Sequence, residues 1–295
     1  MRVSKFNLIF GDEAQDTNAI QRAILRKMIG KTTRVIAVGD PAQAIYGFRG
    51  ADSNSMNRIA KEFNCVTLPL TVSYRCPQSV VLHAQQWVNH IECAPDAPMG
   101  EVQRLQTSWS PDQFKAGDMI VCRTTAPLIA LGYKLLTQRK PFYIMGREIG
   151  SNLKALVTKQ KAKGIDALQE KLAAWNSREV EKAIAKDDES KAQAISDKYQ
   201  ALCHLIDSLN ENNRTIPALI KIIDDLFAEK QNATILCTIH KAKGLESENV
   251  YWLNSSQCPS KWARGWQKQQ EINLCYVATT RAKSKLILIE EPKKE

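Results

Sequence analysis

The sequence predicts an α/β protein, and three observations support that prediction. Short apolar runs that are typical of buried strands recur along the chain. Segments with apolar residues at helical spacing lie between most of these runs. Clusters of Gly, Asp and Pro follow some of the runs and force loops at the carboxyl ends of strands. This alternation is typical of a sheet covered by helices.

The first elements fall within the first third of the chain. Residues 5–10 predict a buried strand, and 17–29 predict a helix with Thr17 as its N-cap. The run "TRVIAV" predicts the next strand, which leads directly into the loop "GDPAQAIYGFRGAD". In a parallel α/β sheet the carboxyl edge of the strands is where ligands bind. This loop is therefore a candidate ligand site.

The remaining elements continue the alternation. "CVTLPL" from residue 65 predicts a strand, "TVSYRCP" a loop and "QSVVLHAQQWVNHI" a helix. A Lys-, Ala-, Glu- and Gln-rich stretch over 151–230 predicts a helical insertion. Strands are predicted at 118–122, 142–145, 233–239, 249–253 and 284–290, with helices between the first two and near 269–282.

Composition indicates a globular protein without membrane spans. Apolar residues make up 44% and charged residues 24% of the 295 residues, and no apolar run approaches the ~18 residues of a membrane span. The opening "MRVSKFNLIF" is too short in its apolar part for a signal peptide. We therefore expect a cytoplasmic protein with no membrane partner.

The net charge indicates a class of partner, and the cysteine spacing indicates which kinds of site the sequence does not predict. The net charge of +10 favours a polyanionic partner, although many basic proteins bind none. The eight cysteines include no C-x-x-C pair, so the sequence predicts neither a zinc site nor a disulfide framework.

One apparent phosphate-loop sequence is a false match. "GKTT" at 30–33 resembles the end of G-x-x-x-x-G-K-[ST], but Leu25 stands where the first Gly is needed. A phosphate loop follows a strand and opens a helix, whereas here a helix precedes and a strand follows. The favoured interpretation is that Gly30 caps the preceding helix.

Two stretches carry candidate chemistry. "DEAQD" at 12–16 follows an apolar strand, so Asp12 can hold Mg²⁺ and Glu13 can orient and deprotonate an attacking water. A solvated acidic strand end is the alternative. In the next loop, uncharged Gln43 precedes Tyr46, Phe48 and Arg49, a cluster suited to stacking on bases and pairing with phosphate. Loop packing alone is the alternative for this cluster.

Five stretches in order resemble the motifs of the UvrD/Rep-like superfamily 1 helicases, and together they span almost the whole chain. They are "DEAQD" (12–16), "VGDPAQAIYGFRGAD" (38–52), "VSYRCP" (72–77), "TIHKAKGLESENVYWL" (238–253) and "NLCYVATTRAKSKLIL" (273–288). The resemblance implies a RecA-like P-loop NTPase motor fold. It also implies an ATP-dependent DNA helicase or translocase with Mg²⁺ as cofactor, single-stranded DNA as partner and 3′–5′ polarity.

The family pattern assigns a role to each matching position. On the nucleotide side, Asp12 would hold Mg²⁺, Glu13 would activate water and Gln43 would sense the γ-phosphate. From the second domain, Tyr74 would stack near adenine, Arg75 and Arg281 would reach the phosphates, and Gly244 and Glu246 would contact the nucleotide. The residues that would meet single-stranded DNA are Tyr46, Phe48, Arg49, Thr238 and His240.

Three of these residues also have plainer interpretations when taken singly. Arg75 before Cys-Pro could cap a loop, Arg281 could end a solvated basic helix, and His240 could be a buried histidine with satisfied hydrogen bonds. Their position among ordered motifs favours the functional interpretation for all three.

The expected domains follow from the same resemblance. Residues 1–63 would be the C-terminal part of an incomplete first RecA-like domain, and 64–150 with 233–295 would form the second. Residues 151–232 would be a helical insertion that replaces a larger accessory subdomain.

The family's phosphate loop has no counterpart in these residues. We therefore expect exposed apolar surface and an unpaired strand edge near the N-terminus, and weak or no ATP hydrolysis by this chain alone. A separate chain or upstream segment would supply the loop. The alternative function is a non-hydrolysing protein that binds single-stranded DNA or docks on another helicase.

Overall fold

The computed structural model describes residues 4–47, 50–52 and 54–291. The predicted DNA-contacting residues Phe48 and Arg49 lie outside these described residues. We call the described residues up to Glu62 the first lobe and residues 72–291 the second lobe. The predicted α/β class is confirmed, since parallel strands and helices alternate in both lobes.

The first lobe contains a small parallel sheet. Strand β1 (Phe6–Gly11) pairs with β2 (Ile29–Ala37), and helix α1 (Ala19–Met28) connects them. The cap of α1 is Asn18 and not Thr17: its side chain accepts from the Gln21 amide, while the Gln21 side chain accepts from the Asn18 amide. This reciprocal capping box satisfies two helix-end donors. Helix α2 (Ser55–Glu62) completes the lobe.

Apolar side chains of β1 are exposed. Phe6, Leu8 and Phe10 are 45%, 46% and 68% exposed. The expectation that 5–10 would be a buried strand is therefore wrong about its burial, and the expectation of exposed apolar surface in this region is confirmed.

The second lobe is built on a larger parallel sheet. After a short pair, β3 (Val72–Ser73) with β4 (Glu92–Cys93), the described residues form six strands in the spatial order β5-β10-β9-β6-β8-β7. All neighbours in this sheet are parallel. The strands are β5 (Glu101–Gln106), β6 (Met119–Cys122), β7 (Phe142–Ile144), β8 (Thr234–Thr238), β9 (Ser247–Leu253) and β10 (Ala282–Ile289).

Helices cover both faces of this sheet. Along the fully buried strand β6, Ile120 and Cys122 enter one core while Met119 and Val121 enter the other, as the two-residue period of a strand requires. The first core packs against α4 (Ala126–Thr137), α5 (Arg147–Lys159), α6 (Ile165–Ile184), α7 (Glu189–Asp207) and α8 (Ile216–Phe227). The second packs against α3 (Gln78–Ala84), α9 (Ile239–Ala242) and α10 (Trp266–Thr279).

A carboxylate of the helical insertion binds the N-terminus of α4. Asp197 on α7 accepts hydrogen bonds from the backbone amides of Thr125 and Ala126, at 2.8–3.0 Å, where α4 begins. Negative charge at a helix N-terminus satisfies free amides and is favoured by the helix dipole.

The helix predicted over 78–91 ends at Ala84, and two further local predictions are wrong. Residues 65–70 form no strand, and Val66, Leu68 and Leu70 are at least 80% exposed. Gly30 lies within β2 and does not cap α1. The C-cap residue is Ile29, and its backbone is already extended. Among the described residues, no helix is both long and apolar enough to cross a membrane.

Candidate nucleotide and nucleic-acid site

The acidic motif lies at the carboxyl end of β1. The loops after β1 and β2 are joined there, because the Val38 amide donates to the Gly11 carbonyl (2.7 Å) and the Ala14 amide to the Val38 carbonyl (2.9 Å). Glu13 has a φ of 49°, in the left-handed region that non-glycine residues rarely adopt. Such backbone strain occurs often at functional sites. Asp12 is exposed, and its Oδ1 accepts from the Glu13 amide at 2.8 Å.

Gln15 connects the acidic motif to the next loop. Its buried side chain donates through Nε2 to Glu13 Oε2 and accepts through Oε1 from the Asp40 amide at 3.0 Å. Gln15 was not predicted as a site residue, although it lies inside "DEAQD".

Gln43 is held by Asp40. The Gln43 Nε2 donates to Asp40 Oδ2 at 2.9 Å, and Asp40 Oδ1 accepts from the Ala42 amide at 2.9 Å. The side chain predicted to sense the γ-phosphate therefore donates one hydrogen bond within its own turn.

Lys243 brings the two lobes together at this point. Its ammonium lies 2.6 Å from Asp16 Oδ2, 3.2 Å from Glu13 Oε2 and 2.9 Å from the Gln43 carbonyl oxygen. The side chain is only 6% exposed, and its Nζ is 5.2 Å from the centre of the Tyr46 ring. Lys243 was not predicted as a site residue, although it directly precedes the predicted Gly244 in "HKAKGLE".

The two carboxylates that Lys243 contacts respond differently to their surroundings. For Glu13, partial burial acts to raise the pKa, but the Gln15 hydrogen bond and the Lys243 and Arg281 charges together lower it. For Asp16, burial raises the pKa and outweighs the hydrogen bond from Lys243. The surroundings of Glu13 therefore favour its ionised form, whereas those of Asp16 favour its protonated form.

Arg281 is a buried cation. It is 1% exposed and donates to the carbonyls of Val277 (3.0 Å) and Leu245 (3.2 Å) and to Thr280 Oγ1 (3.0 Å). Within the described part of the chain it forms no ion pair with a carboxylate. Burial, followed by the neighbouring Arg75 charge, lowers the pKa of Arg281 to about 10. A buried and uncompensated cation is suited to binding an anion.

The other predicted nucleotide contacts lie near Arg281. Arg75 donates to Glu246 Oε2 at 2.6 Å, and Lys283 approaches the second oxygen of Glu246 at 3.6 Å. The hydrogen bond from Arg75 lowers the pKa of Glu246. Tyr74 is 84% exposed, so its ring is available for stacking, and Gly244 has a φ of 84°, which favours glycine.

The predicted DNA-contacting residues that the structure describes lie beside a separate cleft. Thr238 ends β8 and caps α9 through the Lys241 amide (3.4 Å), and the His240 ring centre is 6.5 Å from that of Tyr46. Tyr46 also donates to the His240 carbonyl oxygen at 3.1 Å. Thr238 and His240 line a cleft of about 380 Å³ whose other walls include Arg123, Gln193, Trp266 and Gln270.

The residues fit a magnesium-bound phosphate ligand in part. No group of three His, Cys, Asp or Glu side chains able to hold a metal occurs among the described residues. Mg²⁺ is commonly held by one or two carboxylates together with substrate phosphates, and Asp12 is an exposed carboxylate. Arg281, which forms no ion pair with a carboxylate among the described residues, supplies positive charge for the phosphates. G-x-x-x-x-G-K-[ST] does not occur in the sequence.

Comparison with known proteins identifies the family. The UvrD-like helicase C-terminal domain matches residues 48–292, and the UvrD/REP helicase N-terminal domain matches residues 1–64. The chain belongs to the UvrD-like helicases. The RecA-like motor fold and the helicase family expected from the five motifs are thereby confirmed.

Several UvrD-like relatives are similar over different lengths. The F-box DNA helicase protein 1 of Schizosaccharomyces pombe is 28% identical over 97% of this chain and 34% of its own length. A probable DNA helicase II homolog of Mycoplasma pneumoniae is 25% identical over 97% of this chain and 54% of its own. DNA helicase II of Escherichia coli is 37% identical over 29% of this chain and 12% of its own. The chain thus spans about a third to a half of the first two relatives.

A solved structure, the C-terminal domain of a possible DNA helicase from Lactobacillus plantarum, is 14% identical and covers 74% of this chain and 88% of its own. The TM-score of this comparison is 0.32.

Proposed function

We propose that this chain acts as part of an ATP-dependent DNA helicase that couples ATP hydrolysis to movement on single-stranded DNA, with the 3′–5′ polarity of the family pattern. The main observation is the contact of second-lobe Lys243 with Glu13 and with the Gln43 carbonyl oxygen. Hydrolysis-motif residues of one lobe thereby meet cations of the other.

The proposed roles follow from this arrangement. Asp12 holds Mg²⁺, Glu13 is the general base, and Gln43 senses the γ-phosphate. Arg75 and Arg281 neutralise the charge that develops on the phosphates, while Tyr74, Gly244 and Glu246 contact the rest of the nucleotide. Because these cations come from the second lobe, hydrolysis requires the lobes to be closed on the ligand.

Single-stranded DNA is proposed to contact Tyr46, Phe48, Arg49, Thr238 and His240. The cleft beside Thr238 and His240 contains the indole of Trp266, and aromatic side chains bind bases by stacking whatever their sequence. Contact between Tyr46 and the His240 carbonyl links this cleft to the loop that carries Gln43.

The phosphate loop is proposed to come from another polypeptide segment, upstream or separate. Without its backbone amides and lysine, the β- and γ-phosphates lack their main ligands. Asp12, Glu13 and Gln43 match the hydrolysis motifs of the family pattern, which supports a working enzyme that includes such a segment.

The proposal is tested by measuring DNA-stimulated ATP hydrolysis. The purified chain is assayed alone and with a purified UvrD-like segment that carries the phosphate loop, with oligo-deoxythymidine present or absent. We expect little activity from the chain alone and DNA-stimulated hydrolysis from the mixture. In the mixture, Glu13→Gln should reduce the rate about 10²–10⁴-fold, the usual contribution of a general base.

Glu62→Gln is the matched control, since Glu62 pairs with Arg26 on the surface of the same lobe. Its rate should equal that of the unsubstituted chain. Vigorous DNA-stimulated hydrolysis by the chain alone would contradict the proposed need for a second segment.

A second candidate function is non-hydrolysing binding of single-stranded DNA. The cleft that supports it is lined by second-lobe residues and involves no phosphate loop. Fluorescence anisotropy with labelled oligo-deoxythymidine distinguishes the two: tight binding together with an inactive mixture would favour this candidate.

A further inference from the structure

The loop that follows β2 is seated in the second lobe. Ile45 is 1% exposed and belongs to the second-lobe core that contains α9 and α10, with Ala42 and Tyr46 packed against the same core. Gly47 lies so close to Gln270 and Trp266 that an added Cβ would be 2.1 Å and 2.6 Å from their nearest atoms. Residues 40–47 thus belong to the first lobe in sequence but pack with the second.

Asn273 on α10 holds the backbone of this loop. Its Nδ2 donates to the Pro41 carbonyl oxygen at 3.1 Å and to the Ala44 carbonyl oxygen at 2.9 Å, and the residue is 3% exposed. Its Oδ1 accepts from Gln269 Nε2 at 3.0 Å, one helical turn earlier. This bond fixes the amide so that its two donors face the loop.

Lys243 holds the carbonyl between these two. Its ammonium donates to the Gln43 carbonyl oxygen at 2.9 Å and at the same time contacts Glu13 and Asp16. Three carbonyls of residues 41–44 therefore accept from two buried second-lobe side chains. Hydrogen bonds made by buried groups resist loss, because a broken bond leaves the partner desolvated and unpaired.

We infer that Lys243 and Asn273 are positioning residues that clamp the backbone on both sides of Gln43 and so transmit the position of the second lobe to the γ-phosphate sensor. A movement of α9 or α10 displaces the carbonyls of residues 41, 43 and 44 directly. Lys243 also carries the movement to Glu13. The use of the clamp in hydrolysis rests on the proposed function, whereas the clamp itself does not.

The clamp is tested in the purified chain by NMR and hydrogen exchange. The variants are Lys243→Met and Asn273→Ala. Loss of a donor should shift the ¹³C signal of its acceptor carbonyl upfield: Gln43 in the first variant, Pro41 and Ala44 in the second. The amides of Ala42, Gln43 and Ala44 should exchange about fivefold to tenfold faster, the effect expected from losing one net hydrogen bond.

The two variants should also differ from each other. Lys243→Met should speed exchange at residues 14–16 as well, because the ammonium contacts that turn, whereas Asn273→Ala should leave that turn unchanged. Lys243→Arg, which keeps the charge and the donors, should restore the Gln43 carbonyl signal.

Matched controls come from neighbouring residues. Lys241→Met removes an ammonium from the same turn that pairs with Glu148 instead, and Lys268→Ala removes an exposed side chain from α10. Neither should move the three carbonyl signals. Unchanged carbonyl signals in Lys243→Met and Asn273→Ala, or equally fast exchange throughout α10 and β9, would overturn the clamp.

These outcomes are independent of catalysis. If NMR confirms the clamp but the mixture of this chain with the phosphate-loop segment is inactive, only the proposed helicase function is refuted. An active mixture together with unchanged carbonyl signals would refute only the clamp.

Discussion

Arg123 and Arg281 show how the free-energy cost of taking an arginine out of water depends on its partners. Arg123 donates to both oxygens of Glu271, at 2.6–3.0 Å, so its charge is compensated. Arg281 bonds only to neutral oxygens. Its pKa lies below that of an exposed arginine, so burying the charged form costs stability at all pH values below about 10. That cost is relieved only as the pH rises through this value, where the side chain loses its proton.

Arg281→Met should therefore separate stability from ligand binding. We expect the midpoint of thermal unfolding to change little or to rise, because an uncompensated charge is removed. Pyrophosphate should stabilise the unsubstituted chain but this variant much less, since a ligand stabilises only the protein that binds it. Differential scanning fluorimetry with and without pyrophosphate measures both effects.

Arg123→Met is the comparison. It leaves Glu271 as a buried carboxylate without its cation, a change that costs about 3–5 kcal/mol. A smaller loss of stability for Arg123→Met than for Arg281→Met would contradict the distinction drawn between the two arginines.

At the residue scale the sequence identified groups but not their partners. Glu13, Gln43, Arg75 and Arg281 could be predicted because each lies in an ordered motif. The contacts of Lys243 with Glu13 and Gln43 join residues more than 190 positions apart, so no local pattern shows them. The roles assigned to these residues remain predictions.

At the scale of elements, strands with strong local signals were predicted and those defined by their neighbours were not. β6 and β8 to β10 are largely buried apolar runs, which read clearly as strands. β5 contains only two apolar residues, Val102 and Leu105, and becomes a strand by pairing with β10 at the sheet edge. Residues 65–70 alternate like a strand but have no partner to pair with in the structure.

The contact of the helical insertion with α4 gives a prediction at this scale. Asp197→Asn should lower the free energy of unfolding by about 1–2 kcal/mol, because the carboxylate caps two amides at the start of α4. Urea unfolding followed by circular dichroism measures the change. Asp225→Asn, on the exposed face of α8, is the control and should have no effect beyond about 0.5 kcal/mol. Equal effects would show that α4 is not held by this cap.

At the scale of the whole molecule, the two lobes are connected along the chain by a segment without regular secondary structure. Residues 64–71 have neither helix nor strand and carry the exposed Val66, Leu68 and Leu70. Exposed segments of this kind are preferred sites of proteolytic cleavage. Thermolysin, which cleaves before apolar residues, should therefore cut first in this segment and leave a resistant second lobe, as seen by mass spectrometry of the products. First cleavage within α6 or α7 would contradict this.

The exposed face of β1 gives a second prediction for the whole molecule. Phe6, Leu8 and Phe10 alternate and so lie on one face of the strand. Exposed apolar patches beside unpaired strand edges promote association. The chain should self-associate with rising concentration in analytical ultracentrifugation, and replacing all three residues by Thr should suppress this. Leu82→Thr, an exposed leucine on α3, is the control and should leave association unchanged.

The seating of residues 40–47 means that the boundary between the lobes in space differs from the boundary in sequence. The two family matches overlap over residues 48–64, and a truncation designed from them would start the second lobe after the loop. Such a fragment would lack Ile45 from its core. The Asn273 amide and the Lys243 ammonium would lose the loop carbonyl groups to which they donate. A fragment designed to express the second lobe on its own should therefore begin before Asp40, so that it includes residues 40–47.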